Sequence, residues 1–183
     1  PYKIENHEDF GFMYMEGDEG QWKWYDKHGI YCFHYTEPAS WWMRLKGKDG
    51  GLPTYEECVA HAEALAAKGD KRALAWKTSV AVDEFGRKIG RIQSRAWAPS
   101  GTMWCINSAP GLQGEITDYK VKLSEESFEE RFGGTTFPEG PDGEYIDSSE
   151  MGLLFGADYD RRHFSAMETP LCWGGEKKQP CVS

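Results

Sequence analysis

The feature that most limits the folds open to this chain is the alternation of short apolar runs, rich in β-branched and aromatic residues, with segments of helical period. The first run, Ile30-Tyr31-Cys32-Phe33-His34-Tyr35-Thr36, has the composition of a buried strand and stops at Pro38. Thr54-Tyr55-Glu56-Glu57 is a capping box, in which the Thr hydroxyl accepts an orphan amide and Glu57 reaches back to the cap amide. Cys58, Val59, Ala62, Leu65 and Ala66 then recur at helical spacing until Gly69, which predicts a helix over 55–68. Ala73 to Trp76 prolongs the helical signal, and further strands are predicted at 78–82, 103–107 and 144–147. Ser124, the acids of the following turn, Arg131 and Gly133 predict a second capped helix over 125–132.

The order strand, helix, strand, strand, helix, strand generates a parallel sheet flanked by helices with right-handed crossovers. The expected fold class is therefore α/β, a partial or half (β/α) TIM-barrel-like arrangement of about four βα units. Residues 1–183 read as a single domain belonging to a larger (β/α) barrel, with 1–27 an irregular lead-in that includes a short hairpin, 28–173 the βα units and 174–183 a tail. Ala39 to Gly51 reads as a long loop. At 183 residues one hydrophobic core is expected.

Charge narrows the function classes. With 30 Asp plus Glu against 21 Lys plus Arg the net charge is −9, and no basic stripe offsets it, so sequence-independent binding of nucleic acid is not expected. The longest apolar runs, such as Trp41-Trp42-Met43, fall far short of the ~20 residues that cross a bilayer. A soluble protein is expected, with its compartment left open. Five cysteines without a CxxC pair argue against a zinc cage and for reduced, buried thiols, although Cys172 and Cys181 are near enough in sequence to close a short loop. No metal and no cofactor are implied: His34 and Glu37 imitate a ligand spacing, but residues three apart on a strand face opposite sides.

In parallel α/β architectures functional groups collect at the C-terminal ends of strands. The first strand ends in Tyr35-Thr36-Glu37-Pro38 with Trp41-Trp42 close behind, the third in Asn107-Ser108, and the fourth in Asp147-Ser148-Ser149-Glu150. Carboxylates on two strand ends, with tryptophans beside one of them, are the parts needed to cleave a glycosidic bond: one carboxyl protonates the leaving oxygen while the other attacks or activates water. The eight tryptophans favour the same reading, because indoles suit the flat amphipathic faces of sugars. Each residue also has a structural alternative. Glu37 can salt-bridge in a loop, Asp147 and Glu150 can cap a helix, Trp41 and Trp42 can pack a core, and Arg161-Arg162-His163 can be a solvated patch or supply an arginine that anchors a carboxylate.

The strings His34-Tyr35-Thr36-Glu37-Pro38, Trp41-Trp42-Met43, Pro53-Thr54-Tyr55-Glu56-Glu57 and, above all, Pro141-Asp142-Gly143-Glu144-Tyr145-Ile146-Asp147-Ser148-Ser149-Glu150 resemble part of the catalytic barrel of large, poorly characterised glycoside-hydrolase-like proteins, over about residues 28–173. The resemblance implies Glu150 or Asp147 as proton donor and Glu37 in a substrate-contacting or supporting place, and the strand-end reading adds Trp41, Trp42, Asn107, Tyr35, Arg162 and His163 as candidate substrate-binding residues. A full barrel takes about 250 residues, so a second chain or the remainder of a barrel is an implied partner, alongside an oligo- or polysaccharide. A non-catalytic module that binds sugar or a partner chain through surface tryptophans is the alternative function, and a structural subunit a third.

Overall fold

The computed structural model describes residues 11, 14–16, 21–95, 98–109, 111–112, 122, 126, 129, 140–147, 156–168 and 170–182. In chain order its elements are β1 (Tyr14–Glu16), α1 (Trp22–Lys27), β2 (Tyr31–Thr36), β3 (Ser40–Arg44), α2 (Tyr55–Ala67), α3 (Lys71–Ser79), β4 (Gly90–Arg95), β5 (Ala98–Cys105), β6 (Gly143–Ile146), β7 (Cys172–Gly174) and β8 (Gln179–Cys181), with a 3-10 turn at Phe164–Ala166. The chain divides into two compact units, Pro1–Glu37 with Lys122–Asp147, and Pro38–Val121 with Ser148–Ser183.

The first unit is built on a three-stranded parallel sheet in the order β1-β2-β6. Tyr14 lies opposite Tyr31 and Glu16 opposite Phe33, while Phe33 pairs with Gly143 and Tyr35 with Tyr145. Strand alternation therefore sends Met15 and Cys32 to one face, where they meet Trp22 and Tyr25 of α1 and Ile30. Tyr14, Glu16, Tyr31, Phe33, Tyr35 and Tyr145 share the other face. The register of β6 is set by Asp142, whose amide donates to the Cys32 carbonyl (2.7 Å) while its carboxylate accepts from the Cys32 amide (2.8 Å). Gly143 is small because the Phe33 ring lies over it, 3.3 Å from where a Cβ would stand.

The second unit carries a three-stranded antiparallel sheet in the order β3-β5-β4, with α2 and α3 packed against one face. Its core is a tryptophan cluster: Trp76 of α3 meets Trp41 of β3 at 6.2 Å and Trp104 of β5 at 5.3 Å between ring centroids. The helical side of this core is lined with small residues, Cys58, Ala62, Ala66, Ala73 and Ala75, which let the helices approach the indoles. Gly90 completes the fit, since a Cβ there would stand 2.5 Å from the Trp104 ring. The predicted capping box is present in both directions, Glu57 N to Thr54 Oγ1 at 3.2 Å and Thr54 N to Glu57 Oε2 at 2.9 Å, and Gly69 leaves the helix with φ +82°.

Two separate small sheets, one parallel and one antiparallel, plus the β7-β8 hairpin replace the expected half barrel of βα units. Of the four strands expected in one parallel or mixed sheet, those at 30–36 and 144–147 do pair in parallel, but 103–107 overlaps β5, which lies in the other sheet and is antiparallel to both its neighbours. The reason is connection length: β4 and β5 are separated by two residues, which suffices for an antiparallel return but not for a crossover. Residues 78–82 form no strand of their own. Asp70 caps α3 through the Ala73 amide (2.9 Å), the helix runs to Ser79, and Val80 and Val82 make only isolated bridges. Ala39 to Gly51, read as a loop, contains β3, where Trp41 and Met43 point inward and Arg44 is exposed. Trp22 to Lys27, read as a short hairpin or irregular lead-in running into a turn, is α1, and the presumed tail contributes β8. The helix expected over 125–132 lies outside the described residues, apart from Glu126 and Glu129. Among the described residues no helix is long and apolar enough to cross a membrane.

Candidate active site

Every strand of the parallel sheet finishes in a tyrosine followed two residues later by an acid: Tyr14-Met15-Glu16, Tyr35-Thr36-Glu37 and Tyr145-Ile146-Asp147. Two-residue spacing on extended chain places each acid on the same face as its tyrosine. Parallel pairing points the three ends the same way, with Tyr35 level with Tyr145 and Glu16 set back opposite Phe33. The backbone ladder reaches as far as the Asp147 amide, which donates to the Thr36 carbonyl at 2.9 Å and so holds Asp147 beside the end of β2.

The centre of the site is the hydrogen bond from the Tyr35 phenol to Oδ2 of Asp147, 2.6 Å long. Partial burial, this hydrogen bond and the charges of Glu37, Asp147 and Glu16 together push the Tyr35 phenol above its usual range. Tyr145, stacked on Tyr35 with 6.0 Å between centroids, is held above its usual range chiefly by the charge of Glu16, with burial, Asp147 and a hydrogen bond to Glu16 adding to it. Glu16 and Asp147 therefore act on both phenols, and Glu37 on Tyr35. Tyr14 and Tyr31, 59% and 55% exposed, extend the aromatic face beyond them. Such a surface offers stacking area next to hydrogen-bond acceptors.

Of the sequence-predicted site residues, Tyr35, Glu37 and Asp147 are brought together here. Glu150 lies outside the described residues. The remaining candidates belong to the second unit, and there most have structural partners. Trp41 is a core residue, 6% exposed. Trp42 is half-buried and walls a groove of about 550 Å³ with Arg44, Arg72 and Pro99. Asn107 and His163 meet on Asp158, whose carboxylate accepts from four donors: the amides of Val82 (3.1 Å) and Asp160 (3.0 Å), Asn107 Nδ2 (3.0 Å) and His163 Nδ1 (2.6 Å). His163 Nε2 stands 2.7 Å from the Thr78 carbonyl, which can only accept. Against an ionised Asp158 both ring nitrogens donate, as they do in the imidazolium. Burial opposes that charge, but Asp158, the Thr78 carbonyl and Asp160 outweigh it and raise the His163 pKa. With its side chain wholly buried and both nitrogens engaged, His163 is a clamp between α3 and the 158–163 segment. Arg162 holds Asp160 through Nε, 3.0 Å from both carboxylate oxygens.

Glu16 and Tyr145 are the residues that sequence reasoning missed. The thrice-repeated Tyr-x-acid ending was a usable signal, but a strand of three residues such as β1 has too little periodicity to stand out on its own. Comparison of the chain with protein-family models, with curated proteins and with solved structures finds no match.

Proposed function

We propose that the tyrosine and carboxylate cluster at the end of the parallel sheet is a carbohydrate site of glycoside-hydrolase type, cleaving a glycosidic bond by carboxylate chemistry. The observation that carries this reading is the short Tyr35–Asp147 hydrogen bond in the shared field of Glu37 and Glu16. Asp147, held by the Tyr35 hydrogen bond, takes the role of nucleophile or base. Glu37 is half-buried and follows β2 directly, and it takes the role of proton donor to the leaving oxygen. Glu16 steadies Tyr145, and the tyrosine face supplies the surface on which the sugar ring rests.

The test is hydrolysis of a panel of polysaccharides and activated aryl glycosides by the full chain. Asp147→Asn is expected to lower kcat about a hundredfold or more on both substrate types. Glu37→Gln is expected to slow the natural linkage far more than the aryl glycoside, whose leaving group needs no proton. Sugar binding without turnover, unchanged in both variants, would replace the hydrolase with a non-catalytic binding module. Absence of both binding and turnover would remove the carbohydrate reading altogether.

A further inference from the structure

Strands β7 and β8 place Cys172 directly opposite Cys181, with their Sγ atoms 3.4 Å apart. Directly opposed residues of an antiparallel pair have Cα atoms about 4.5–5.5 Å apart, inside the ~4.4–6.8 Å that a disulfide spans. The two sulfurs thus need only side-chain rotation to bond. The other three cysteines, Cys32, Cys58 and Cys105, are buried. Cys58 accepts from the Thr102 hydroxyl at 2.6 Å, and burial, with the charge of Asp158, pushes the Cys105 thiol up to about 12.

The surroundings of the pair give it leverage. A Cβ on Gly174 would stand 2.7 Å from the Tyr159 phenol oxygen and 2.9 Å from Cys181 Sγ, so the hairpin lies close upon Tyr159. At its turn the Lys177 amide and the Gln179 side chain donate to Glu84. One residue beyond Cys181, Val182 pairs with Asp158, the residue that holds His163.

We propose that Cys172 and Cys181 form a thiol–disulfide exchange site that takes a small-molecule disulfide and closes a cross-strand bond stapling this hairpin. Cys172 is partly exposed and Cys181 buried, which sets the order of events. The Cys172 thiolate attacks one sulfur of the incoming disulfide, forming a mixed disulfide and releasing one thiolate. The Cys181 thiolate then attacks the Cys172 sulfur and expels the second. Two protein thiols are oxidised and one disulfide molecule is reduced to two thiols, with the two protons passing to the released thiolates.

The experiment exposes the full chain to oxidised glutathione, alkylates the remaining thiols and maps the peptides by mass. A loss of about 2 Da, a single Cys172–Cys181 linkage and three alkylated cysteines are expected, with Tm raised about 5 °C and restored by dithiothreitol. Cys181→Ser is expected to stop at one glutathione on Cys172. A linkage between other cysteines, a persistent glutathione adduct on the unmutated chain, or no reaction would overturn the site. An unchanged Tm in the linked protein would overturn the staple.

Discussion

The Tyr35 phenol donates to the Asp147 carboxylate over 2.6 Å, across 112 positions of sequence. Because Tyr35 is 37% exposed, its removal is expected to spare the fold and to act on chemistry. Tyr35→Phe should reduce kcat/KM on an aryl glycoside about fivefold, equivalent to about 1 kcal/mol for one partly solvated hydrogen bond to a charged group. The same variant should lose one high-titrating phenol from an absorbance titration in alkali, since Tyr35 is held above its usual range by burial, Asp147, Glu37 and Glu16. An unaltered titration would place the phenol away from the acids.

His163 predicts the alkaline limb of stability. Its folded pKa is raised above an unfolded value near 6.5, so its contribution is complete below that pH and is lost as pH climbs through the folded pKa. Asp160 has the opposite sign. Burial opposes its charge, but the hydrogen bonds from Arg162 prevail and hold its pKa below 3.8, so its contribution is present above that value and is lost as pH falls through the folded pKa. Urea midpoints measured across pH should form a plateau between these limits, and His163→Gln should remove the alkaline decline. Substitution also takes the charged partner from the buried Asp158 carboxylate, which keeps its bonds from Val82, Asp160 and Asn107, at a cost of about 3 kcal/mol at neutral pH.

The capping box is open to a direct measurement. Thr54→Ala removes the acceptor for the Glu57 amide and should cost about 1 kcal/mol in urea unfolding. Thr54→Ser should recover most of it. Equal losses in the two variants would mean that the Thr methyl, rather than its hydroxyl, matters.

Gly90→Ala tests the tryptophan core. The added Cβ would stand 2.5 Å from the Trp104 ring, which is itself fixed by Trp76 and by Tyr55. Neither neighbour can yield easily, and a destabilisation of about 1–3 kcal/mol is expected. Trp fluorescence should shift as the cluster opens. A neutral substitution would show that β4 can move away from Trp104.

The sequence by itself determined what is local. Thr54 and Glu57 lie within one helical turn, so their mutual caps follow from spacing alone, and Gly69 closes the same helix with a backbone angle that suits glycine. The strand character of 31–36 and 143–146 follows equally from composition, and with it the placing of Tyr35, Glu37 and Asp147 at strand ends. Tertiary structure decided which segments pair. The Asp142 carboxylate and amide lock β6 to Cys32 from a distant part of the chain, a contact that no local pattern encodes. Residues 40–44 become a strand because β5 lies alongside them, and Thr78 and Ser79 remain helical because Trp76 is drawn between Trp41 and Trp104. Burial of the large indoles outweighs the weak β preference of that segment, and it also turned tryptophans that looked suited to sugar into a core. Side-chain spacing is set by backbone period within an element, whereas pairing is set by apolar surface and hydrogen-bond satisfaction summed over the folded chain.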